Sequence, residues 1–313
     1  MPDLTILYRG PLSSCNYDCH YCPFAKHHET ASELAHDRNC LERFERWSLE
    51  QWPTLGAGHG DRLSIFFTPW GEALIRSWYQ KAIIRLTQTS HIKKVAIQTN
   101  LSCRLDWIDH CDPTRLGLWC TFHPSQTSRS QFLSQCRILD ANRIRYSVGA
   151  VGLKEDLSEI KALRQELPAA VYLWINAFKR QPGYYTETDI QHCEQLDPLF
   201  RINATYHASR GRPCRTGASV ISVDGNGEVT RCHFVKDRIG NLYDQDFSEA
   251  LRERLCPNDT CGCHIGYVHL DHLNLETVFG DGLLERIKKA DVFQKENIPT
   301  AQKPRSDSLH ASK

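Results

Sequence analysis

The chain has 313 residues, of which 24% are charged and 41% hydrophobic, and its formal net charge is +1. This composition is typical of a folded globular protein, and the balanced charge excludes a general attraction to nucleic acid or to an anionic membrane. No apolar run approaches the roughly 20 residues that span a bilayer. No secretory signal is recognisable at the N-terminus, so we expect a cytoplasmic protein whose fourteen cysteines serve metals or catalysis more often than disulfides.

Apolar runs predict six buried strands, which mostly alternate with helical patterns. The predicted strands cover residues 4–8, 63–67, 95–98, 116–122, 144–148 and 171–175. The predicted helices cover residues 33–51, 73–89, 107–110, 131–141 and 157–167, and glycines at 56, 58 and 60 end the first of them. Strands that alternate with helices indicate an α/β fold with a parallel sheet and outer helices, spaced like an incomplete (β/α) barrel.

We expect the functional residues to lie at the C-terminal ends of the predicted strands, as in other barrels of this kind. A cysteine loop, residues 15–22, follows the first strand. The later strands are followed by Gly71, Glu72, Asn100, His123, Gly149 and Asn176. The strand order alone therefore predicts that these residues meet at one edge of the sheet.

The cysteine loop contains Cys15, Cys19 and Cys22 in a C-x3-C-x2-C pattern. Three thiolates on so short a loop can converge on one metal centre, and thiolates are the usual ligands of iron–sulfur clusters. A four-iron cluster with three protein thiolates keeps one iron free to bind a small molecule. The alternative is a zinc site, for which His20 or His27 would supply a fourth ligand.

The spacing of these cysteines, with Tyr21 directly before the last of them, resembles the cluster loop of the radical S-adenosylmethionine (radical SAM) superfamily. The resemblance implies a partial (β/α)6 TIM-like barrel over residues 1–205. It also implies a [4Fe-4S] cluster, S-adenosylmethionine bound at its open iron, and an electron donor such as flavodoxin or ferredoxin.

Further contacts to S-adenosylmethionine are implied by the same resemblance. The Trp70-Gly71-Glu72 sequence is similar to the GGE-type motif that binds the methionine amine, although Trp70 replaces a glycine. A carboxylate and a closely approaching backbone suit an ammonium group. Tyr21 resembles the aromatic residue whose backbone contacts the adenine, and the remaining expected contacts are Asn100, His123 and Asn176. The alternatives are a helix N-terminal role for Glu72 and ordinary turn chemistry for Asn100.

A second cysteine group lies in residues 206–285. A β-hairpin is predicted there, with strands at 220–223 and 228–232 joined by a turn of Asp and Asn each followed by Gly, and a helix at 247–255 follows. The cysteines around it resemble the SPASM or Twitch extension of radical SAM proteins. The resemblance implies a second [4Fe-4S] cluster on Cys214, Cys232, Cys261 and Cys263, with Cys256 as a substitute. The alternative is a zinc site that uses His264 or His269, and residues 286–313 are expected to form a polar, flexible tail.

The function implied by these resemblances is reductive cleavage of S-adenosylmethionine to a 5′-deoxyadenosyl radical, which abstracts hydrogen from a substrate. The substrate is expected to be a small molecule, or a peptide delivered by a partner, and no catalytic acid or base is identified. The competing class is a non-enzymatic iron–sulfur or zinc protein that transfers electrons or senses redox state. A nucleic-acid-modifying enzyme is disfavoured, since Arg210, Arg212 and Arg215 form only a short basic group.

Overall fold

The structure, a computed structural model, describes residues 3–24, 27–55 and 62–289. Its strands are β1 (Leu4–Arg9), β2 (Leu63–Phe67), β3 (Ile92–Thr99), β4 (Leu116–Phe122), β5 (Arg145–Val151), β6 (Leu173–Asn176), β7 (His207–Ala208), β8 (Val220–Asp224), β9 (Glu228–Thr230), β10 (Arg238–Asn241) and β11 (Thr260–Cys261). Nine of them form one sheet in the order β10-β9-β8-β1-β2-β3-β4-β5-β6, and β11 pairs with β7. The long sheet is open, with β10 and β6 at its edges, as a partial barrel requires.

Nine α-helical segments are found in the described residues. They are α1 (Ala31–Arg46), α2 (Trp52–Leu55), α3 (Ser77–Thr87), α4 (Arg129–Ala141), α5 (Leu157–Glu166), α6 (Glu187–Leu196), α7 (Phe200–Ala204), α8 (His264–Tyr267) and α9 (Glu276–Phe279). Short 3-10 turns lie at Ala73–Ile75, Ile108–His110, Lys154–Asp156, Phe247–Ala250, Asp271–Leu273 and Gly280–Gly282, and a π-turn lies at Trp47–Gln51.

Local sequence explains where α1 begins and which face it buries. The side chain of Thr30 accepts a hydrogen bond from the backbone N–H of Glu33, whose own side chain accepts from the backbone of Thr30. This reciprocal capping box satisfies two of the N–H groups that a helix start leaves free. Leu41 and Phe44, three residues apart and almost fully buried, then face the sheet.

The six strands from β1 to β6 are parallel, so their C-terminal ends lie at one edge of the sheet. The predicted hairpin continues the same sheet, because β8 pairs in parallel with β1 and β9 pairs antiparallel with β8. The first strand, which leads into the cysteine loop, is therefore central and hydrogen-bonded on both sides.

The inner face of the sheet is covered by the C-terminal part of the described chain. Phe66, Trp119 and Trp174 on three strands form one apolar cluster with Tyr267 and Phe279. We call residues 264–286 the lumen segment, since its apolar side chains pack against this face of the open sheet. The opposite face packs against the helices in a separate, larger cluster.

The lumen segment is fastened to the sheet by polar contacts of Glu285. Lys94 of β3 places its Nζ 3.0 Å from the Glu285 carboxylate, and both residues are buried. Ser147 of β5 donates a hydrogen bond from its Oγ to the Glu285 carbonyl oxygen at 2.6 Å. The segment is thus held at two strands by groups that are largely buried.

Some predicted boundaries are corrected by the structure. Gly149 lies inside β5, since that strand continues to Val151, and the helix predicted at 247–255 is only the turn Phe247–Ala250. Helices α6 and α7 were not predicted, although Thr186 and Asp189 form a capping box that signals the start of α6. The predicted tail begins too early, because Arg286 is 3% exposed. Residues 290–313 and the glycines at 56, 58 and 60 lie outside the described residues.

No helix in the described residues is long and apolar enough to cross a membrane.

Candidate functional site

The cysteine loop is fastened at its start by two acidic side chains. Asp37 of α1 accepts a hydrogen bond from the N–H of Leu12 at 3.2 Å. Glu29 accepts one from the N–H of Ser13 at 2.8 Å and another from the hydroxyl of Ser14. Hydrogen bonds therefore fix three successive residues, 12–14, at the point where the chain enters the loop.

Asp37 joins this loop to two helices. Its carboxylate also accepts hydrogen bonds from Tyr79 Oη at 3.0 Å and Trp78 Nε1 at 2.8 Å, both on α3. Burial raises the pKa of Asp37, although these donors and the N–H of Leu12 lower it. Sequence reasoning missed this residue, because an acidic residue within a polar helix carries no local signal of burial.

The three thiols of the loop lie in one region, and two N–H donors approach Cys15. Cys19 is buried, and Cys15 and Cys22 are half-buried. The N–H of Tyr17 lies 3.4 Å from Cys15 Sγ, and the Asn100 side-chain amide lies 3.8 Å from the same sulfur. Burial raises the pKa of Cys15, and the negative charge of Cys22 also raises it. Thiols that lie near one another and receive N–H donors suit an anionic iron–sulfur cluster.

His123 contacts the second cysteine of the loop and Tyr21. Its Nδ1 lies 2.6 Å from Tyr21 Oη and 3.5 Å from Cys19 Sγ. Burial lowers the pKa of His123 to about 4, so the imidazole is neutral near pH 7 and can accept the Tyr21 hydroxyl proton in a hydrogen bond. In this structure Tyr21 therefore holds the imidazole of His123, which in turn contacts Cys19.

The chain after β2 packs directly on the cysteine loop. The N–H of Glu72 donates to the carbonyl oxygen of Ser14 at 3.1 Å. A Cβ on Gly71 would lie 1.7 Å from that same oxygen, so only glycine fits there. Trp70 turns outward, 46% exposed, and stacks on Phe24 at 5.6 Å between ring centroids.

The carboxylate of Glu72 is 2% exposed and accepts three hydrogen bonds. The donors are the N–H of Leu74 at 2.9 Å, the Thr99 hydroxyl at 3.0 Å and the N–H of Asn100 at 2.5 Å. Burial raises the pKa of Glu72 to about 7 despite these donors. Here the carboxylate caps the turn that follows it and joins the ends of β2 and β3.

The two predicted asparagines have different surroundings. Asn100 is buried and reaches the cysteine loop, with its Nδ2 3.1 Å from Asn16 Oδ1, while its Oδ1 accepts from the N–H of Ser102. Asn176 is exposed at the end of β6, where its carbonyl oxygen accepts from the N–H of Gly152 at 2.9 Å. All predicted residues after β1, β2, β3, β4 and β6 thus lie along the same edge of the sheet.

The histidines considered for a zinc site in the loop have other neighbours. His27 Nε2 lies 3.1 Å from Ser13 Oγ, and the ring of His20 stands edge-on to Tyr21. In the described parts of the chain, no three His, Cys, Asp or Glu side chains are grouped so as to hold a single metal ion.

Five cysteines of the second group lie close enough to influence one another. Burial raises the pKa of Cys232 to about 11, and the charges of Cys214 and Cys256 also raise it. Burial likewise raises the pKa of Cys261 to about 12, with further contributions from Cys232, Cys263 and Cys256. Cys263 and Cys256, predicted as the fourth ligand and its substitute, both therefore lie near Cys261.

Cys263 differs from the other cysteines of this group. The residue has exposed surface, but its thiol lies within a dense part of the protein, and this burial raises its pKa. The charges that oppose this effect belong to Arg286, Lys179 and Arg9, in that order. Sequence reasoning missed these three cations. Only Arg9 had a positional signal, as the last residue of β1.

The histidines proposed as zinc ligands in the second group are both buried. His264 Nε2 lies 3.0 Å from the Leu283 carbonyl oxygen. Both ring nitrogens of His269 have no hydrogen-bond partner within the described residues, and burial lowers the pKa of His269 to about 3. His269 borders a cavity of about 960 Å³ that also includes Leu4 and Ser64. That cavity lies at the N-terminal ends of β1 and β2, opposite the cysteine loop.

Comparison with known proteins shows a shared fold at low sequence identity. No family model and no curated protein matches the sequence. The structure of native anSMEcpe with bound AdoMet and Kp18Cys peptide matches with a TM-score of 0.54 and 13% identity, over 81% of this chain and 81% of that chain. Streptococcus suis SuiB bound to S-adenosylmethionine matches with a TM-score of 0.50 and 13% identity, over 79% of this chain and 65% of that chain.

These structural neighbours are radical SAM enzymes. The likeness establishes the fold, so the predicted α/β partial barrel, and its resemblance to the fold of radical SAM enzymes, are confirmed.

Proposed function

We propose that this protein is a radical SAM enzyme that binds S-adenosylmethionine at a [4Fe-4S] cluster held by Cys15, Cys19 and Cys22. The observation that carries the proposal is the close packing of Gly71 on Ser14, directly before the first cysteine. It joins the loop and the GGE-like segment at the C-terminal edge of the sheet. The fold shared with structures that contain AdoMet supports the proposal.

When bound, such a cluster supplies the electron that cleaves S-adenosylmethionine, and the 5′-deoxyadenosyl radical so formed abstracts hydrogen from substrate. The protein's own residues prepare the site. Asn100 and the N–H of Tyr17 would stabilise the thiolate of Cys15. Tyr21 and His123 would position Cys19.

Glu72 and Gly71 would shape the binding site for the methionine amine through their backbone. The Glu72 carboxylate already accepts three hydrogen bonds, which leaves the carbonyl groups of this segment as the more accessible acceptors. A buried carboxylate nearby still favours an ammonium group electrostatically. Asn176, exposed at the same edge, remains a candidate contact for the ribose or carboxylate of the cofactor.

We propose that the second cluster is held by Cys214, Cys232, Cys261 and Cys263, in the region 206–285 that follows the core at 1–205. Cys256 is the substitute for the fourth ligand, since the charges of both Cys263 and Cys256 influence Cys261. Four thiolates close a cluster, which suits electron transfer or structure.

The substrate class that we propose is a small molecule or a peptide. A peptide is bound in one structural neighbour, which supports the second possibility. A flavodoxin or ferredoxin would supply electrons, and the required reduced thiols suit a cytoplasmic location.

The test is production of 5′-deoxyadenosine after anaerobic reconstitution with iron and sulfide and reduction by dithionite. Wild type is compared with Cys19→Ala and, as a matched control, Cys111→Ala, a buried cysteine outside both groups. We expect deoxyadenosine from wild type and Cys111→Ala only.

Two outcomes would contradict the proposal. One is no deoxyadenosine from wild type that contains a full complement of reducible iron, which would favour an electron carrier. The other is zinc instead of iron in protein purified without oxygen.

A further inference from the structure

The cavity at the N-terminal ends of β1 and β2 has the size and lining of a ligand site. Its volume is about 960 Å³, and small-molecule sites in proteins typically measure roughly 300–1,000 Å³. Five buried aliphatic side chains form its apolar part, namely Leu4, Val220, Leu251, Leu283 and Leu284. The cavity can therefore accommodate a small molecule that carries an apolar group.

The cavity is separate from the site proposed for S-adenosylmethionine. It borders Leu4, the first residue of β1, whereas the cysteine loop follows Arg9, the last residue of that strand. A strand rises roughly 3.3 Å per residue, so these two ends lie about 16 Å apart. Reacting atoms must approach to roughly 3–3.5 Å. A molecule confined to the cavity is therefore out of reach of a radical formed beside the cysteine loop.

Arg254 lines this cavity in a fixed orientation. Its Nη1 donates to the carbonyl oxygens of Ala250 at 2.8 Å, Gly217 at 2.9 Å and Arg252 at 3.0 Å. None of the hydrogen bonds among the described residues uses its Nε or Nη2. These two nitrogens form the edge of a guanidinium group that binds a carboxylate or phosphate through two parallel hydrogen bonds. The backbone thus holds the arginine from one side and leaves its anion-binding edge available.

Three of the five acidic side chains that line the cavity already have cations as partners. Asp3 and Asp281 lie 3.4 Å and 3.0 Å from Lys93 Nζ. Glu276 lies 3.0 Å from Arg215 Nη1. These pairs neutralise Lys93 and Arg215 and leave Arg254 as a cation without a partner among them.

The other two acids, Glu253 and Asp271, are exposed and do not compensate Arg254. Burial lowers the pKa of Arg254, and the positive charges of Arg252 and Arg231 lower it further. No acid and no thiol of the described chain is among the groups that shift this pKa. The surroundings of Arg254 therefore favour an added anion, and the arginine does not serve to neutralise the second cysteine group.

We propose that this cavity binds a small amphipathic anion, with a carboxylate or phosphate group on Arg254 and an apolar part against the buried leucines. The proposal goes beyond the radical SAM function, since the site lies at the opposite end of the strands from the cysteine loop. Such a ligand contacts the start of β8 at Val220 and the lumen segment at Leu283 and Leu284. It would therefore act on how these elements pack, as an effector, and not as the group that loses hydrogen.

The test measures ligand binding to reconstituted full-length protein by isothermal titration calorimetry. Octanoate and octyl phosphate each join one candidate anion to an apolar chain, and octanamide has the chain of octanoate without its charge. Arg254→Gln removes the cation. Ala218→Phe narrows the cavity and keeps the arginine, and Arg38→Gln, on the exposed side of α1, is the matched control.

We expect octanoate, octyl phosphate or both to bind wild type and Arg38→Gln saturably, and about tenfold or more tightly than octanamide. Affinity for the anions should fall by about tenfold or more in Arg254→Gln and in Ala218→Phe. Because Arg254→Gln also removes hydrogen bonds to three carbonyl groups, its thermal unfolding is measured beside that of wild type. Octanamide tests the role of the charge without any substitution.

Three outcomes would overturn the proposal. They are no saturable binding of either anion to wild type, binding of octanamide as tight as that of the anions, and unchanged affinity in Ala218→Phe. The measurement contains no S-adenosylmethionine and no reductant, so its result is independent of the deoxyadenosine assay.

Discussion

The backbone N–H of Asn100 donates a hydrogen bond of 2.5 Å to the buried carboxylate of Glu72. This contact joins the ends of two neighbouring strands directly beneath the cysteine loop. Its strength depends on the protonation of Glu72, and burial raises the pKa of that carboxyl to about 7 from the 4.5 of an exposed glutamate.

A pH-dependent stability follows from this raised pKa. A carboxyl with a higher pKa in the folded state stabilises most below pH 4.5, and that contribution is lost as the pH rises through about 7. We expect Glu72→Gln to remove this part of the pH dependence, as measured by urea unfolding between pH 4.5 and 8. Exposed Glu50→Gln is the control, and parallel curves for wild type and Glu72→Gln would contradict the expectation.

Gly71→Ala should displace the cysteine loop. The added Cβ would meet the Ser14 carbonyl oxygen at 1.7 Å, so backbone must move at a cost on the order of 1–3 kcal/mol or more. We expect the variant to lose as much iron on reconstitution as Cys15→Ala does. Gly240→Ala, where the new Cβ meets only another Cβ at 3.2 Å, should keep its iron. Wild-type iron content in Gly71→Ala would contradict this expectation, because it would show that the chain after β2 can move away from the cysteine loop without disturbing the cluster.

Cys256→Ala and Cys263→Ala should differ in iron content. Loss of Cys263, the proposed fourth ligand, should remove about half of the reconstituted iron, since two four-iron clusters are expected. Cys256→Ala should retain wild-type iron, because Cys256 is only the substitute for that ligand. The reverse pattern, measured by iron and sulfide analysis, would make Cys256 the fourth ligand.

Tyr21→Phe should alter the first cluster without removing it. The change leaves His123 Nδ1 without the hydroxyl at 2.6 Å, a loss of about 1 kcal/mol, and frees the imidazole that contacts Cys19. We expect unchanged iron, a shifted electron paramagnetic resonance spectrum of the reduced cluster, and less deoxyadenosine. Tyr17→Phe, whose ring is edge-on to the same imidazole, is the control. Identical spectra for wild type and Tyr21→Phe would contradict this role.

The buried pair of Lys94 and Glu285 should be costly to break on one side only. Lys94→Met leaves the buried Glu285 with only the more distant Arg145, 3.8 Å away, as a cation, and we expect a loss of about 3–5 kcal/mol in the free energy of unfolding. The double variant with Glu285→Leu should recover much of that loss. Arg38→Ala, which breaks an exposed pair with Glu42, should change stability by less than about 1 kcal/mol. Urea unfolding followed by tryptophan fluorescence measures all three, and additive losses would contradict the pairing.

The strands that sequence predicted well are those with a local signal. Residues 63–67 and 116–122 are continuous apolar runs, and both were predicted to the residue, since strands buried on both faces need no polar alternation. Strand β3 begins three residues before its predicted start, since Lys93 and Lys94 interrupt the apolar run. Lys94 is buried, with its Nζ 3.0 Å from the carboxylate of Glu285, and that partner lies 191 residues later in the chain.

The residues of the candidate site likewise differ in whether a local sequence signal predicts them. The positions of Cys15, Cys19 and Cys22 after β1 followed from a local motif. The contact between Glu72 and Asn100 depends on strand adjacency, which the order of the elements made foreseeable. The approach of Arg286 to the rings of Trp119 and Trp174 depends on the path of the lumen segment, for which the sequence offers no short-range signal.

The lumen segment also determines when the protein can finish folding. The aromatic inner faces at Phe66, Trp119 and Trp174 have no cover until residues 264–286 have been synthesised, although the strands that carry them emerge from the ribosome much earlier. Contacts across such distances in sequence slow folding, and uncovered apolar faces promote aggregation. Synthesis of this chain should therefore depend on chaperones that protect the sheet, and shortened chains that end before the segment should accumulate as insoluble protein.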